Sequence, residues 1–258
     1  MNSYFVIGNP IDHSLSPLIH NYWLKKYGIN STYEKKKIEI NDLGGFAEEM
    51  RNSEIINGAN VTVPYKNEII PFLDGLTAIS DETYSVNTIL KENGKLIGHN
   101  TDATAFHETL NKYSLLADSV LIIGAGGVTP SIIWGIRKLN LKGKLYITNR
   151  TKEKAIQLVK KLTPSLNPSS IEILDWGDVP NAKLIVNTTS IGLNKNDNLP
   201  LDFENYQNNK NCMFYDLIYN PKETKFLNNA LKRGNNIMNG KMMFLLQAKQ
   251  SFQLWTEV

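Results

Sequence analysis

The chain has 258 residues, 41% of them hydrophobic, enough for one large domain or two modest ones. Its 28 Lys and Arg against 25 acids leave a net charge of +3, with no clustered basic stripe of the kind nucleic acid requires. The single cysteine excludes an internal disulfide framework, and no segment reaches the roughly 18 apolar residues of a membrane span.

Cys212 lies in the apolar run Cys212-Met213-Phe214-Tyr215 and reads as a small buried hydrophobe. The N-terminus has no basic region before its short apolar run, so no signal peptide is expected. Lys35-Lys36-Lys37 reads as a solvated surface. The expectation is a soluble cytoplasmic protein with neither a nucleic-acid nor a membrane partner. The four histidines lack ligand spacing, and no metal site is expected.

Tyr4–Ile7 reads as a strand ending at the turn cluster Gly8-Asn9-Pro10. Ser16 before Pro17 suits a capped helix start, and leaves Ser14 and Ser16 facing the loop at a strand's end. Tyr33–Ile40 alternates like a strand, and Leu43–Met50 reads as a helix after an Asn41-Asp42 cap. Gly58 to Lys66 then carries the densest polar chemistry. Val61 and Val63 alternate with Asn60 and Thr62, and Pro64 stops the strand because it has no N–H to donate. An amide, a hydroxyl and the Lys66 ammonium therefore collect at a strand terminus, where open α/β sheets bind ligands. Glu68–Leu73 and Thr77–Asp81 read as a short helix and a loop. Glu92-Asn93-Gly94 between two alternating runs is a hairpin signal. Asn100-Thr101-Asp102 leads into a helix from about Ala103 to Tyr113, with Asp102 as the simplest cap.

From Ser119 the texture changes. Val120–Ile123 is a continuous apolar strand of the kind buried on both faces of a parallel sheet. It runs into Gly124-Ala125-Gly126-Gly127 and a helical stretch through Ile132 and Ile136, the arrangement that cradles a pyrophosphate. Thr129 occupies the third glycine place of Gly-x-Gly-x-x-Gly. After the next strand, Leu145–Thr148, come Asn149-Arg150-Thr151 and Lys154, with no carboxylate for a ribose 2′-hydroxyl. A guanidinium suits a 2′-phosphate, which predicts NADP over NAD. Further α/β units follow: a helix over 152–162, strands at 171–174, 184–187 and 213–219, a helix over 226–231 and a last strand at 237–238. The closing helix, Met242–Trp255, has Gln247 as its polar exception, a position more often solvent-facing than functional.

Together these segments resemble the shikimate dehydrogenase family over nearly the whole chain. The resemblance rests on His13-Ser14-Leu15-Ser16-Pro17, Asn60-Val61-Thr62-Val63-Pro64-Tyr65-Lys66, Val86-Asn87-Thr88, Asn100-Thr101-Asp102, Gly124-Ala125-Gly126-Gly127, Asn149-Arg150-Thr151 and Asp216-Leu217-Ile218-Tyr219-Asn220-Pro221, in the family's order and spacing. It implies an α/β fold of two domains with a cleft between them. Residues 1–103, completed by the helix within 237–258, would form a substrate-binding domain with a mostly parallel sheet. Residues 104–236 would form a Rossmann-like NADP-binding domain. The implied reaction is the reversible NADPH-dependent reduction of 3-dehydroshikimate to shikimate, on the route to chorismate and aromatic amino acids, by a monomer or homodimer. Ser14 and Ser16 would take the substrate carboxylate. Asn60, Thr62, Asn87 and Gln247 would bind hydroxyls or the reacting oxygen, and Tyr219 would line the same pocket. Lys66 and Asp102 would be the catalytic pair. Gly124, Ala125, Gly126, Gly127, Asn149, Arg150, Thr151, Lys154, Thr188, Leu217 and Gly240 would contact NADP(H).

The chemistry of those residues fits independently. Reducing a ketone builds negative charge on oxygen, which an ammonium can stabilise and protonate while a carboxylate orients it. Departures from the family pattern are Tyr84-Ser85 before Val-Asn-Thr, Ala103 for glycine, Lys154 for arginine and Gly240-Lys241-Met242-Met243. Rival readings are a quinate-oxidising paralogue with relaxed substrate or NAD use, the methylenetetrahydrofolate dehydrogenase architecture, and a nucleotide-binding homologue without catalysis. The paired serines and Asn-Thr-Asp turn weigh against the second, and the presence of both Lys66 and Asp102 against the third.

Overall fold

A computed structural model describes residues 2–111, 119–139, 143–162, 171–201 and 211–258. The chain divides into two compact units, Met1–Thr104 with Leu245–Val258, and Ala105–Phe244.

The first unit contains strands β1 (Asn2–Gly8), β2 (Ser31–Lys37), β3 (Ile56–Val61), β4 (Gly75–Leu76), β5 (Thr88–Glu92) and β6 (Lys95–His99), in the order β2-β1-β3-β5-β6-β4. β1 runs parallel to β2 and β3, and β4 parallel to β6, while the β5–β6 hairpin is antiparallel. Asn93 and Gly94 both adopt positive φ at its turn, as a two-residue hairpin requires. The helices are α1 (Ser16–Lys26), α2 (Leu43–Asn52) and α3 (Ala78–Thr83), the last where a loop was expected. α2 buries Leu43, Phe46, Ala47 and Met50, a stripe at 3.6-residue spacing, against Ile7, Ile56, Val61 and Ile89. Each large apolar side chain buried there contributes about 1.5–3 kcal/mol. The helix after Asn100, α4 (Thr101–Asn111), starts two residues earlier than expected, and its expected end at Tyr113 lies outside the described residues.

The second unit carries strands β7 (Val120–Ile123), β8 (Leu145–Thr148), β9 (Ile171–Leu174), β10 (Leu184–Asn187), β11 (Met213–Asp216) and β12 (Asn236–Asn239). They form an all-parallel sheet in the order β12-β11-β10-β7-β8-β9, the doubly wound arrangement with its switch point between β7 and β10. β7, β10 and β11 are buried at every position, which is why their sequences read as continuous apolar runs. Helices α5 (Thr129–Arg137), α6 (Lys152–Leu162) and α7 (Lys225–Lys232) connect them. β11 stops at Asp216, three residues short of the expected Tyr219. The expected boundary before residue 237 is also corrected. β12 pairs with β11 and so belongs to the second sheet, and the first turn of the closing helix α8 (Lys241–Thr256) groups with it.

Candidate active site

In the first unit β3 ends at Val61 and the chain turns at Pro64, bringing Lys66 back beside the sheet, where the Val86 N–H donates to the Lys66 carbonyl at 2.8 Å. Asp102 lies in the first turn of α4. It does not cap that helix: the Asn100 side-chain oxygen accepts the Ala103 N–H at 3.1 Å, which leaves the Asp102 carboxylate free for another partner. That partner is Lys66, whose Nζ donates to Asp102 Oδ2 at 2.5 Å, with side-chain exposures of 10% and 8%. Such slight exposure limits the screening of the pair by water.

A buried polar network supports this pair. Asn87 Oδ1 accepts the Thr101 N–H at 2.8 Å, and its Nδ2 donates to Thr101 Oγ1 at 2.9 Å and Gln247 Oε1 at 3.4 Å. Gln247 therefore points inward, against its simplest reading on an apolar helix. Ser251, one turn further along α8, donates to the Gln247 carbonyl at 3.0 Å and lies 2.7 Å from Thr88 Oγ1. Asn60 belongs to the same network. Its Oδ1 accepts from Tyr33 Oη at 2.6 Å, and its Nδ2 faces Asn87 O, Thr88 Oγ1 and Ser251 Oγ at 3.0–3.1 Å. These bonds fix the Asn60 amide within the polar wall.

Ser16 is also not a helix cap. Leu15 holds the cap position without a side-chain bond, and the Ser16 N–H donates to Ser14 Oγ at 3.3 Å. Thr62 is half-buried at the end of β3, its N–H donating to the Ile7 carbonyl. Sequence reasoning missed Tyr33, Thr88, Thr101 and Ser251. Only Ser251, four residues from Gln247 on one helix face, left a signal.

His20 stacks on Tyr33 with ring centroids 4.2 Å apart and planes 3° apart, and neither of its nitrogens has a partner. Burial lowers its pKa to about 3. The unfolded chain takes up that proton near pH 6.5 and the native chain does not, so this group costs stability progressively as pH falls from about 6.5 toward 3. His20→Phe is expected to flatten that decline. Thermal melts of both proteins at pH 7 and pH 4.5 check it; identical pH dependence would show that His20 is not the group responsible.

In the second unit the glycine loop follows β7. The Ala125 N–H donates to Asn149 Oδ1 at 3.1 Å, and Asn149 Nδ2 donates to the Thr151 carbonyl at 2.7 Å, so Asn149 ties the loop to the end of β8. Thr129 is fully buried, with its hydroxyl 2.9 Å from that of Thr188, which in turn donates to the Ile123 carbonyl at 2.9 Å. Gly126 has open space where a Cβ would stand, as a backbone meant to approach a ligand requires. Gly124 and Gly127 flank it. Arg150 and Lys154 are exposed and form no ion pair among the described residues, whereas Lys152 between them pairs with Asp175 at 2.6 Å. Two uncompensated cations beside a glycine loop at a helix N-terminus fit a dinucleotide bearing an extra phosphate.

Further along, Tyr219 stacks on Phe244 at 4.6 Å. Gly240 donates its N–H to the Ile218 carbonyl at 3.1 Å and packs directly on the Leu217 backbone. Asp216 is fully buried, and burial pushes its pKa up to about 6.

Comparison with known proteins gives a consistent result. A family model described as shikimate dehydrogenase substrate binding domain matches residues 6–89. A shikimate dehydrogenase (NADP(+)) of Pelagibacter ubique is 45% identical over 258 residues, covering 99% of this chain and 94% of the relative. A crystal structure of a shikimate dehydrogenase in complex with NADP+ matches with a TM-score of 0.90 and 30% identity, covering 100% of this chain and 91% of that one. One from Thermus thermophilus, in complex with NADP(H) and shikimate, matches with a TM-score of 0.86 and 30% identity, covering 100% and 94%.

Proposed function

The chain belongs to the shikimate dehydrogenase family, and on that premise we propose that it interconverts 3-dehydroshikimate and shikimate with NADP(H), in the cytoplasmic synthesis of aromatic amino acids. The observation that carries the reading is the Lys66–Asp102 pair, held at 2.5 Å with both side chains nearly buried. NADPH supplies the hydride when bound. Lys66 supports the negative charge that develops on the ketone oxygen and donates the proton that completes the alcohol, and Asp102 fixes the ammonium's direction. In the reverse direction the same amine accepts the hydroxyl proton. Asn60, Asn87 and Gln247, the last two linked by a hydrogen bond, present amide groups to substrate hydroxyls, and Thr62 adds its hydroxyl. Ser14 and Ser16 bind the carboxylate. Tyr219 contributes to the substrate pocket. The glycine loop of residues 124–127, with Asn149, Thr151, Thr188, Leu217 and Gly240, holds the dinucleotide, and Arg150 and Lys154 take its 2′-phosphate.

The test is the rate of nicotinamide reduction with shikimate and, separately, quinate, each with NADP+ and NAD+. Turnover of shikimate with NADP+ well above the other pairs is expected. Faster turnover of quinate or with NAD+ would move the protein to the quinate-oxidising reading, and no turnover with any pair would overturn the assignment. Arg150→Ala is expected to weaken NADPH binding about 10–100-fold, the scale of a hydrogen bond between charged groups, while leaving NADH binding nearly unchanged. Equal losses for both cofactors would remove Arg150 from the phosphate site.

A further inference from the structure

Asp216 terminates β11 as a fully buried carboxylate with no ion pair among the described residues. Burying a carboxylate without a cation is costly, and nothing in ending a strand requires one. What this carboxylate receives is three neutral donors from three segments. Asn187 Nδ2, at the end of β10, donates to Oδ1 at 3.0 Å. The Ile218 N–H donates to the same oxygen at 3.1 Å. Thr224 Oγ1, the cap of α7, donates to Oδ2 at 2.6 Å and itself accepts the Leu227 N–H.

Each of these partners is tied onward. Asn187 Oδ1 accepts from the Thr189 N–H and hydroxyl at 3.0 and 2.7 Å, and its Nδ2 also reaches the Ile191 carbonyl at 3.1 Å. That sets the loop following Thr188. Gly192, at the far end of that loop, sits where a Cβ would come within 3.2 Å of Ile218 and 3.4 Å of Thr224. Ile218 in turn accepts the Gly240 N–H, and Gly240 lies on Leu217.

We infer that Asn187, Asp216 and Thr224 form a positioning unit that fixes, relative to one another, the loops carrying Thr188, Leu217 and Gly240, and so shapes the NADP(H) site. The inference rests on the cofactor reading given above. The three residues touch no reacting atom; they act through the backbones they hold. An amide cannot replace the carboxylate in either orientation. With its NH2 toward Thr224, the threonine hydroxyl must accept twice and its hydrogen loses its partner. With its NH2 reversed, it confronts two donors.

The experiment titrates NADPH into the full-length protein without substrate, followed by nicotinamide fluorescence, for wild type, Asp216→Asn, Thr224→Val and Thr224→Ser. Shikimate binding to the cofactor-free protein and the melting temperature are measured in parallel. Asp216→Asn and Thr224→Val are expected to raise the Kd for NADPH about tenfold or more with shikimate binding within twofold, and Thr224→Ser, which keeps the hydroxyl, to stay close to wild type. Should Asp216→Asn fail to fold, Thr224→Val carries the test. NADPH affinity within twofold of wild type in a variant with lowered melting temperature would reduce the cluster to a structural role. Parallel loss of both ligands would likewise overturn the inference. If wild type itself binds no NADPH, the cofactor reading fails, a result distinct from either.

Discussion

Lys66→Ala is expected to lower kcat by about 10²–10⁴-fold, the usual scale for losing a positioned general acid–base group. The variant removes both the proton donor and the charge that supports the developing oxyanion. It also leaves the Asp102 carboxylate, at 8% side-chain exposure, without its cation. Breaking a buried pair on one side costs more than the pair contributed, so a loss of stability up to about 3 kcal/mol accompanies the kinetic effect. Lys66→Gln separates the two consequences. Glutamine can still donate a hydrogen bond to Asp102, so its melting temperature should lie nearer to wild type while kcat remains low. Kinetics at saturating shikimate and NADP+, with melting curves on the same samples, provide the check. A normal kcat in Lys66→Ala would remove this residue from catalysis.

Gly240→Ala is expected to destabilise the second unit by at least about 3 kcal/mol and to abolish measurable NADPH binding. A Cβ built on Gly240 would overlap the Leu217 carbonyl oxygen and stand 2.6 Å from its carbon. Both obstacles are backbone atoms, so no rotamer change relieves the overlap. The Leu217 segment is held on its other side by the Leu217 N–H to the Asn187 carbonyl and by the Ile218 N–H to Asp216, and so it cannot move away cheaply. Relief must come from parting β12 and α8 from the 217–219 loop, which breaks the Gly240–Ile218 hydrogen bond. Thermal unfolding and an NADPH titration of the variant test this. A melting temperature within a few degrees of wild type would mean that the loop yields far more readily than its hydrogen bonds imply.

Much of the second unit could be read directly from residue order. A parallel sheet covered on both faces makes its central strands largely apolar, and Val120–Ile123 announces itself by that feature, as does the start of the strand at Met213, whose end was read three residues too far. The glycine loop between β7 and α5, and the missing carboxylate after β8, likewise point to a phosphorylated dinucleotide because backbone approach and charge are local properties. The Asn93-Gly94 turn is local in the same sense. In the first unit the segment around Lys66 and the Asn-Thr-Asp turn mark the two halves of the proposed catalytic pair.

Residue order could not tell which polar side chains bond to one another. Asn60 sits in the most suggestive stretch of the chain, and its amide bonds to Tyr33, Asn87, Thr88 and Ser251, residues up to 191 positions away. Asp102 and Ser16 each carry a sound local reading as helix caps. Asn100 takes the first role, and Ser14 supports the start of α1 in the second. Local chemistry determined most of the strands, the turns, the glycine loop and the residue types gathered at each strand end, because periodicity and backbone geometry act over a few neighbours. The tertiary structure decided the 2.5 Å approach of Lys66 to Asp102, the inward turn of Gln247 and the three donors on Asp216. Hydrogen-bond partners are chosen by competition among every donor and acceptor that burial brings together, and that competition exists only once the chain has folded.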